Sequence, residues 1–147
     1  MSIDDDVALL ERVPTLRLLG REALRMLAIG SEQRDVPRGD CLFRQGDDAD
    51  AGFVVQRGSF RIDDDGGAEM IVGPGALLGE LALVRAMRRP SSATALEYSS
   101  VVRIARSLFQ RVLESDPEAA QRLRDELANR SSQITSDILT AGAKLST

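Results

Sequence analysis

Gly73-Pro74-Gly75-Ala76-Leu77-Leu78-Gly79-Glu80-Leu81-Ala82-Leu83, followed at a short distance by Arg89, is the stretch on which the reading of this chain turns. Its glycines are not spaced for a dinucleotide fingerprint, and no Lys-Ser/Thr follows them for a P-loop. What it holds is a tight glycine turn, then a short helix start at Gly79 to Leu83 whose free backbone N–H groups can face an anion, then an arginine. Together these parts make a phosphate cradle.

Outward from that stretch the texture is one of short strands. Between Ser31 and about Ile104 the apolar bursts are Cys41-Leu42-Phe43, Phe53-Val54-Val55, Phe60-Arg61-Ile62, Met70-Ile71-Val72 and Val101-Val102-Arg103-Ile104. Turn residues separate them at Pro37 to Asp40, Gly46 to Asp48, Arg57-Gly58 and Asp63 to Gly67, with Asp65-Gly66-Gly67 the clearest hairpin. This punctuation predicts a mainly β protein, an antiparallel β-barrel or jelly roll with flanking helices. Ahead of it, Val7, Leu10, Val13, Leu18, Leu24 and Leu27 recur at helical steps around Pro14 and predict two short helices. Behind it, Ser107 reads as the N-cap of a helix through Leu113, and Asp116-Pro117-Glu118 as the start of a longer one. Ala120, Leu123, Leu127, Ile134 and Ile138 form a stripe near coiled-coil spacing, which serves either as a dimer seam or as a face packed on the barrel, the dimer being favoured. The expected organisation is one domain over residues 1–147, with N-terminal helices at 1–30, the barrel at 31–105, its phosphate segment at 79–95, and C-terminal helices at 106–140.

Composition narrows the chemistry. The 147 residues carry a net charge of −4, which offers no general attraction to a nucleic-acid backbone or an anionic membrane surface. There is no histidine, which removes His-based acid–base catalysis, His-containing triads and His metal ligands. The single cysteine, Cys41, cannot form an internal disulfide and reads as a core residue, while Met26, Met70 and Met87 read as gap-fillers in the core. Asp4-Asp5-Asp6 and Asp63-Asp64-Asp65 lack calcium-ligand spacing. No apolar run approaches the ~18 to 20 residues of a membrane helix, and the start lacks a secretion signal, so a cytoplasmic location is expected. No catalytic constellation and no metal site can be named, and the expectation is a protein that is not an enzyme.

Gly79-Glu80-Leu81-Ala82-Leu83 with Arg89 resembles, in residue types and spacing together, the phosphate-binding cassette of the cyclic-nucleotide-binding domain family, found in the catabolite activator protein and the regulatory subunit of protein kinase A. Pro37 to Asp47 and Phe53 to Phe60 look like the family's first strands and its glycine hairpin, so the resemblance covers nearly the whole chain. Counting from Gly79 places Arg89 at the family's arginine without a gap and Ser92 where threonine is usual. An alignment on Ser92-Ala93-Thr94 would instead put Ser91 at that place and needs a two-residue insertion. Distance from the glycine favours Arg89.

The resemblance implies a ligand, cAMP ahead of cGMP, and roles for particular residues. Arg89 would pair with the cyclic phosphate, Glu80 would accept from the ribose 2′-hydroxyl, Leu81 and Ala82 would offer backbone N–H groups, and Gly79 would leave room for close approach. Taken singly, Arg89 also suits a structural ion pair and Glu80 an acid at a helix N-terminus. Pro90 departs from the family by lacking a backbone N–H, and it carries no hydroxyl of the kind cGMP-selective members use; Ser91 and Ser92 follow it in the cassette. Gln133-Ile134-Thr135-Ser136-Asp137 looks like the family's dimer helix, which implies that Thr135 and Ser136 meet the base, from the same or a partner subunit. The implied protein is a cyclic-nucleotide sensor that switches its C-terminal helix packing, forms a homodimer through that helix, and acts on an effector elsewhere. No helix-turn-helix is expected after the long helix, hence no direct DNA binding. A fold that has lost its nucleotide and docks or dimerises without ligand is the other reading, and Pro90 is its support.

Overall fold

A computed structural model describes residues 2–129. The chain opens with a capping box, in which the Asp5 N–H donates to Ser2 Oγ at 3.2 Å and the Ser2 N–H donates to the Asp5 carboxylate at 3.4 Å. The helix this starts, α1 (Ile3–Glu11), is followed by α2 (Pro14–Arg17) and α3 (Arg21–Gly30). Three helices thus stand where the spacing suggests two. Pro14, which has no N–H to lose, sits at the first turn of α2, and Gly20 breaks the chain again with φ +88° before α3.

Ten short strands follow: β1 (Glu32–Val36), β2 (Cys41–Phe43), β3 (Asp48–Ala49), β4 (Ala51–Arg57), β5 (Phe60–Asp63), β6 (Glu69–Val72), β7 (Leu77–Leu78), β8 (Met87–Arg88), β9 (Ser92–Ala95) and β10 (Ser99–Ala105). All pairings are antiparallel, in the orders β1-β10-β4-β7 and β2-β9-β5-β6, with β3 and β8 forming a separate two-stranded ribbon. The expected antiparallel β architecture with flanking helices is present, arranged as two four-stranded sheets and a ribbon. The hairpin at Asp65-Gly66-Gly67 joins β5 to β6, with Gly67 at φ +86°.

Alternation along β4 and β10 explains the layering. Ala51, Phe53, Val55 and Val101 point between the two sheets, where they meet Phe43, Phe60, Ala93 and Ala95 of the second sheet. Val54, Val102 and Ile104 point the other way, into a core shared with α1, α3 and the C-terminal helices. The first sheet is therefore covered on both faces and the second on one. A register shift between Cys41 and Phe43 turns Cys41 outward beside Thr94, so Cys41 is exposed and not a core residue. Met70 is also not a gap-filler: on the edge strand β6, opposite Ile62, it is 58% exposed.

β10 runs directly into α4 (Arg106–Ser115). Ser107 is therefore not the N-cap. Ala105 occupies that position, and the Arg106 N–H is taken by the Asp50 carbonyl at 2.8 Å. Asp116 does cap the next helix, accepting from the Ala119 N–H at 3.1 Å, and residues 117–129 are helical. Ala120 and Leu123 of that helix are 6% and 3% exposed and Leu127, half-buried, packs against the same core, so this part of the stripe packs within the chain. The physical reason lies just past the end of α2: Arg122 donates to the carbonyls of Leu18 and Leu19 at 2.6 and 3.0 Å and draws the helix onto the N-terminal bundle. Ile134 and Ile138 lie outside the described residues.

Candidate functional site

The Gly73–Arg89 stretch forms one wall of the space between the sheets. Gly75, at φ +90°, donates its N–H to Val55, and β7 pairs with β4, which brings the chain to Gly79 alongside the β4 backbone. Gly79 adopts the left-handed conformation, φ +77° and ψ 39°, and caps a short 3-10 helix, Glu80–Leu83. A Cβ on Gly79 would collide with Arg89 Nη1 and come within 3.3 Å of the Ala51 carbonyl oxygen. Both the turn and the close approach thus require glycine here.

Arg89 is 5% exposed, a rare burial for an arginine. Its main chain is fixed by the turn before β3: the Arg89 N–H donates to the Asp47 carbonyl, and the Gly46 N–H donates to the Arg89 carbonyl, both at 2.8 Å. The guanidinium lies over the Phe43 ring at 4.3 Å from its centroid and 5.4 Å from that of Phe53. Nη2 donates to the Ala51 carbonyl at 2.8 Å, whereas Nε and Nη1 are buried without a hydrogen-bond partner. No carboxylate closes an ion pair on it among the described residues: the Asp50 carboxylate pairs with Arg103 at 3.4 Å, and the Asp47 carboxylate accepts from the Arg44 N–H at 3.0 Å. Burial pulls the guanidinium below the usual arginine value, and the charges of Asp50 and Asp47 oppose that fall while Arg103 adds to it. The group stays cationic at neutral pH. A buried cation with two unused donors is the arrangement an incoming anion would complete.

Glu80 Oε1 accepts from the Thr15 hydroxyl at 3.0 Å, which ties the 3-10 helix to α2. Thr15, Glu80, Leu81, Leu83, Phe109 and Leu123 line a small hollow, so the cassette rests directly on the C-terminal helices. Leu81 is half exposed and Ala82 is buried, and the Ala82 N–H is used within the 3-10 turn, donating to the Gly79 carbonyl at 3.1 Å. Pro90 is exposed and Ser91 half-buried. The Ser92 hydroxyl accepts from the Gln45 N–H at 2.8 Å and so fixes the strand that follows the cassette. Arg88 sits on the surface 3.9 Å from Asp48, and Arg85 is exposed. Thr135 and Ser136 lie outside the described residues.

Three contributors escape the sequence reading. Phe43 and Phe53 read there as strand residues, and nothing local couples them to a cation 36 or more positions away in the chain. Arg106 is the third: its Nη1 donates to the carbonyls of Ala49, Ala82 and Arg85 at 2.9, 3.3 and 3.0 Å, which clamps the end of the cassette to the first turn of α4.

The family model described as the cyclic nucleotide-binding domain matches residues 33–116. The chain is 30% identical over 122 residues to the cyclic nucleotide-gated potassium channel mll3241 of Mesorhizobium japonicum, covering 83% of this chain and 34% of the channel. It is 32% identical over 104 residues to the cyclic AMP receptor protein of Thermus thermophilus, covering 67% of this chain and 48% of that protein. The chain therefore spans between a third and a half of these relatives. Among solved structures, the N-terminal domain of a transcriptional regulator from Streptomyces coelicolor A3(2) superposes with a TM-score of 0.80 at 29% identity, over 88% of this chain and 94% of that one. With the matched segment holding both four-stranded sheets, Gly79 and Arg89, the chain belongs to the cyclic nucleotide-binding domain family.

Proposed function

We propose that the chain is a sensor for a cyclic nucleotide, cAMP ahead of cGMP, and not an enzyme. The observation that carries this reading is the unpaired Nε and Nη1 edge of buried Arg89 beside Gly79. A cyclic phosphate diester bears a single negative charge and two free oxygens, which suits one planar fork of donors. Glu80 would take the ribose 2′-hydroxyl, in exchange for or in addition to its bond with Thr15. Gly79, Leu81 and Ala82 would line the phosphate, with Ser91 and Ser92 at the far side of Pro90, and Thr135 and Ser136 would meet the base. Pro90 supplies no N–H, so affinity is lower by about 1 to 3 kcal/mol than with that donor present.

Occupancy would be read out through the C-terminal helices, because the hollow under Glu80 and Leu81 is walled by Phe109 and Leu123. Such a switch requires different affinity for the ligand in two helix arrangements. The reading places the protein in the cytoplasm as one domain over residues 1–147, with a homodimer contact through the C-terminal helix and an effector on another segment or polypeptide. Among the described residues no helix is long and apolar enough to cross a membrane.

Equilibrium dialysis against labelled cAMP, with cGMP and 5′-AMP as competitors, tests the reading. Competition by unlabelled cAMP well ahead of 5′-AMP supports it. Retention of no nucleotide by folded, ligand-stripped protein moves the weight to the docking module that Pro90 suggests.

A further inference from the structure

The side chain of Arg89 is aimed by a segment well outside the cassette. Within residues 43–53, Phe43 and Phe53 lie against its guanidinium, the Ala51 carbonyl takes Nη2, and the Gly46 and Asp47 backbone groups hold the main chain of residue 89. The two rings are 6.0 Å apart and inclined at 30°, so they form a shallow trough and not a flat wall. The consequence is directional. With a face covered by rings and Nη2 taken by Ala51, the edge left over is Nε with Nη1, and Nη1 is the atom nearest Gly79.

We propose that Phe43 and Phe53 are positioning residues for Arg89, holding its Nε–Nη1 edge towards the cassette before any anion arrives. The proposal rests on the anion-binding role given to Arg89 above. A free arginine side chain must lose rotamer freedom on binding, whereas a stacked one has lost it on folding, and that difference appears in affinity. Away from water the cation–ring attraction is at its strongest, so the trough also keeps the desolvated charge from turning back to solvent.

Two readouts test this, the Arg89 Nε–H resonance and its exchange rate in ligand-free protein by NMR, and the cAMP dissociation constant by calorimetry. The variants are Phe43→Leu and, as a control, Phe60→Leu, which removes a ring of equal size and fuller burial from the same core; the rings within stacking distance of Arg89 among the described residues are Phe43 and Phe53. Phe43→Leu should abolish the ring-current shift of Nε–H, speed its exchange, and weaken cAMP binding about tenfold. Phe60→Leu should lower stability and leave the Arg89 signal and the dissociation constant within about twofold of wild type. Phe53→Leu, whose ring lies farther away, should repeat the Phe43→Leu pattern with smaller amplitude and replaces it if that variant does not fold.

The proposal is overturned if folded Phe43→Leu or Phe53→Leu keeps the Arg89 signal, if the signal collapses while binding holds, or if Phe60→Leu gives the same losses. Wild-type protein that binds no cyclic nucleotide, yet loses the Arg89 signal in Phe43→Leu alone, would sink the functional reading and leave the trough standing.

Discussion

At the scale of single residues the site is a conflict between stability and binding. Arg89 is a desolvated cation with two donors unmet, and such a group costs free energy until an anion arrives. Replacing it with Met, a side chain of similar length, should leave the ligand-free protein as stable as wild type or more so, by up to about 2 kcal/mol, while removing ligand binding. Thermal unfolding with and without cAMP checks both halves, and a large loss of ligand-free stability would show that Arg89 is structural. Burial lowers the Arg89 pKa from a value so high that the group is protonated in folded and unfolded chains alike, so its cost is constant between pH 5 and 9 and should contribute no slope to stability there. Gly79→Ala should cost about 1 to 3 kcal/mol, because alanine is strained at φ +77° and its Cβ would displace the Arg89 guanidinium, and it should abolish binding as well. Chemical denaturation and titration of the same variant separate the two effects.

At the scale of elements, the cassette is joined to helices at both ends. Thr15 of α2 holds Glu80 at its start, and Arg106 of α4 gathers three carbonyls around its end. Arg106→Met should destabilise by about 1 to 3 kcal/mol, since it strips those carbonyls of a charged donor, and should uncouple α4 from the ligand. Hydrogen exchange in α4 would then no longer respond to cAMP, where wild-type exchange does. The same elements show what the sequence could and could not tell. Five strands coincide with apolar bursts, and Asp116-Pro117 marks a helix start through a cap that acts locally. By contrast β1, with the sequence Glu32-Gln33-Arg34-Asp35-Val36, carries a single buried side chain and is a strand because β10 pairs with it. β3, β7 and β8 are two residues each, too short for any periodicity, and are set by ladder register alone. Ser107 misleads because the chain leaves β10 already committed to the helix, so no capping turn is needed.

At the scale of the whole molecule, the first sheet sits between a helical layer and a second sheet, and the cassette lies at the junction of both cores. That placement explains why Gly79, Glu80 and Arg89 were legible from spacing while the trough of Phe43 and Phe53 was not: the former follow one another along the chain, the latter meet only when the sheets close. Binding to the folded state alone stabilises by mass action, about 2.7 kcal/mol at a hundredfold excess over the dissociation constant. For a chain of 147 residues this corresponds to a rise in melting temperature of about 5 to 10 °C, which a cAMP titration of thermal unfolding should reproduce and 5′-AMP should not. The central claim is that the open edge of Arg89 receives the cyclic phosphate, and isothermal titration of cAMP into wild-type and Arg89→Ala protein tests it most directly. The account predicts a wild-type isotherm at micromolar dissociation constant or tighter, about −8 kcal/mol or better, that disappears in folded Arg89→Ala. Equal binding by the two proteins, or none by wild type, would contradict it.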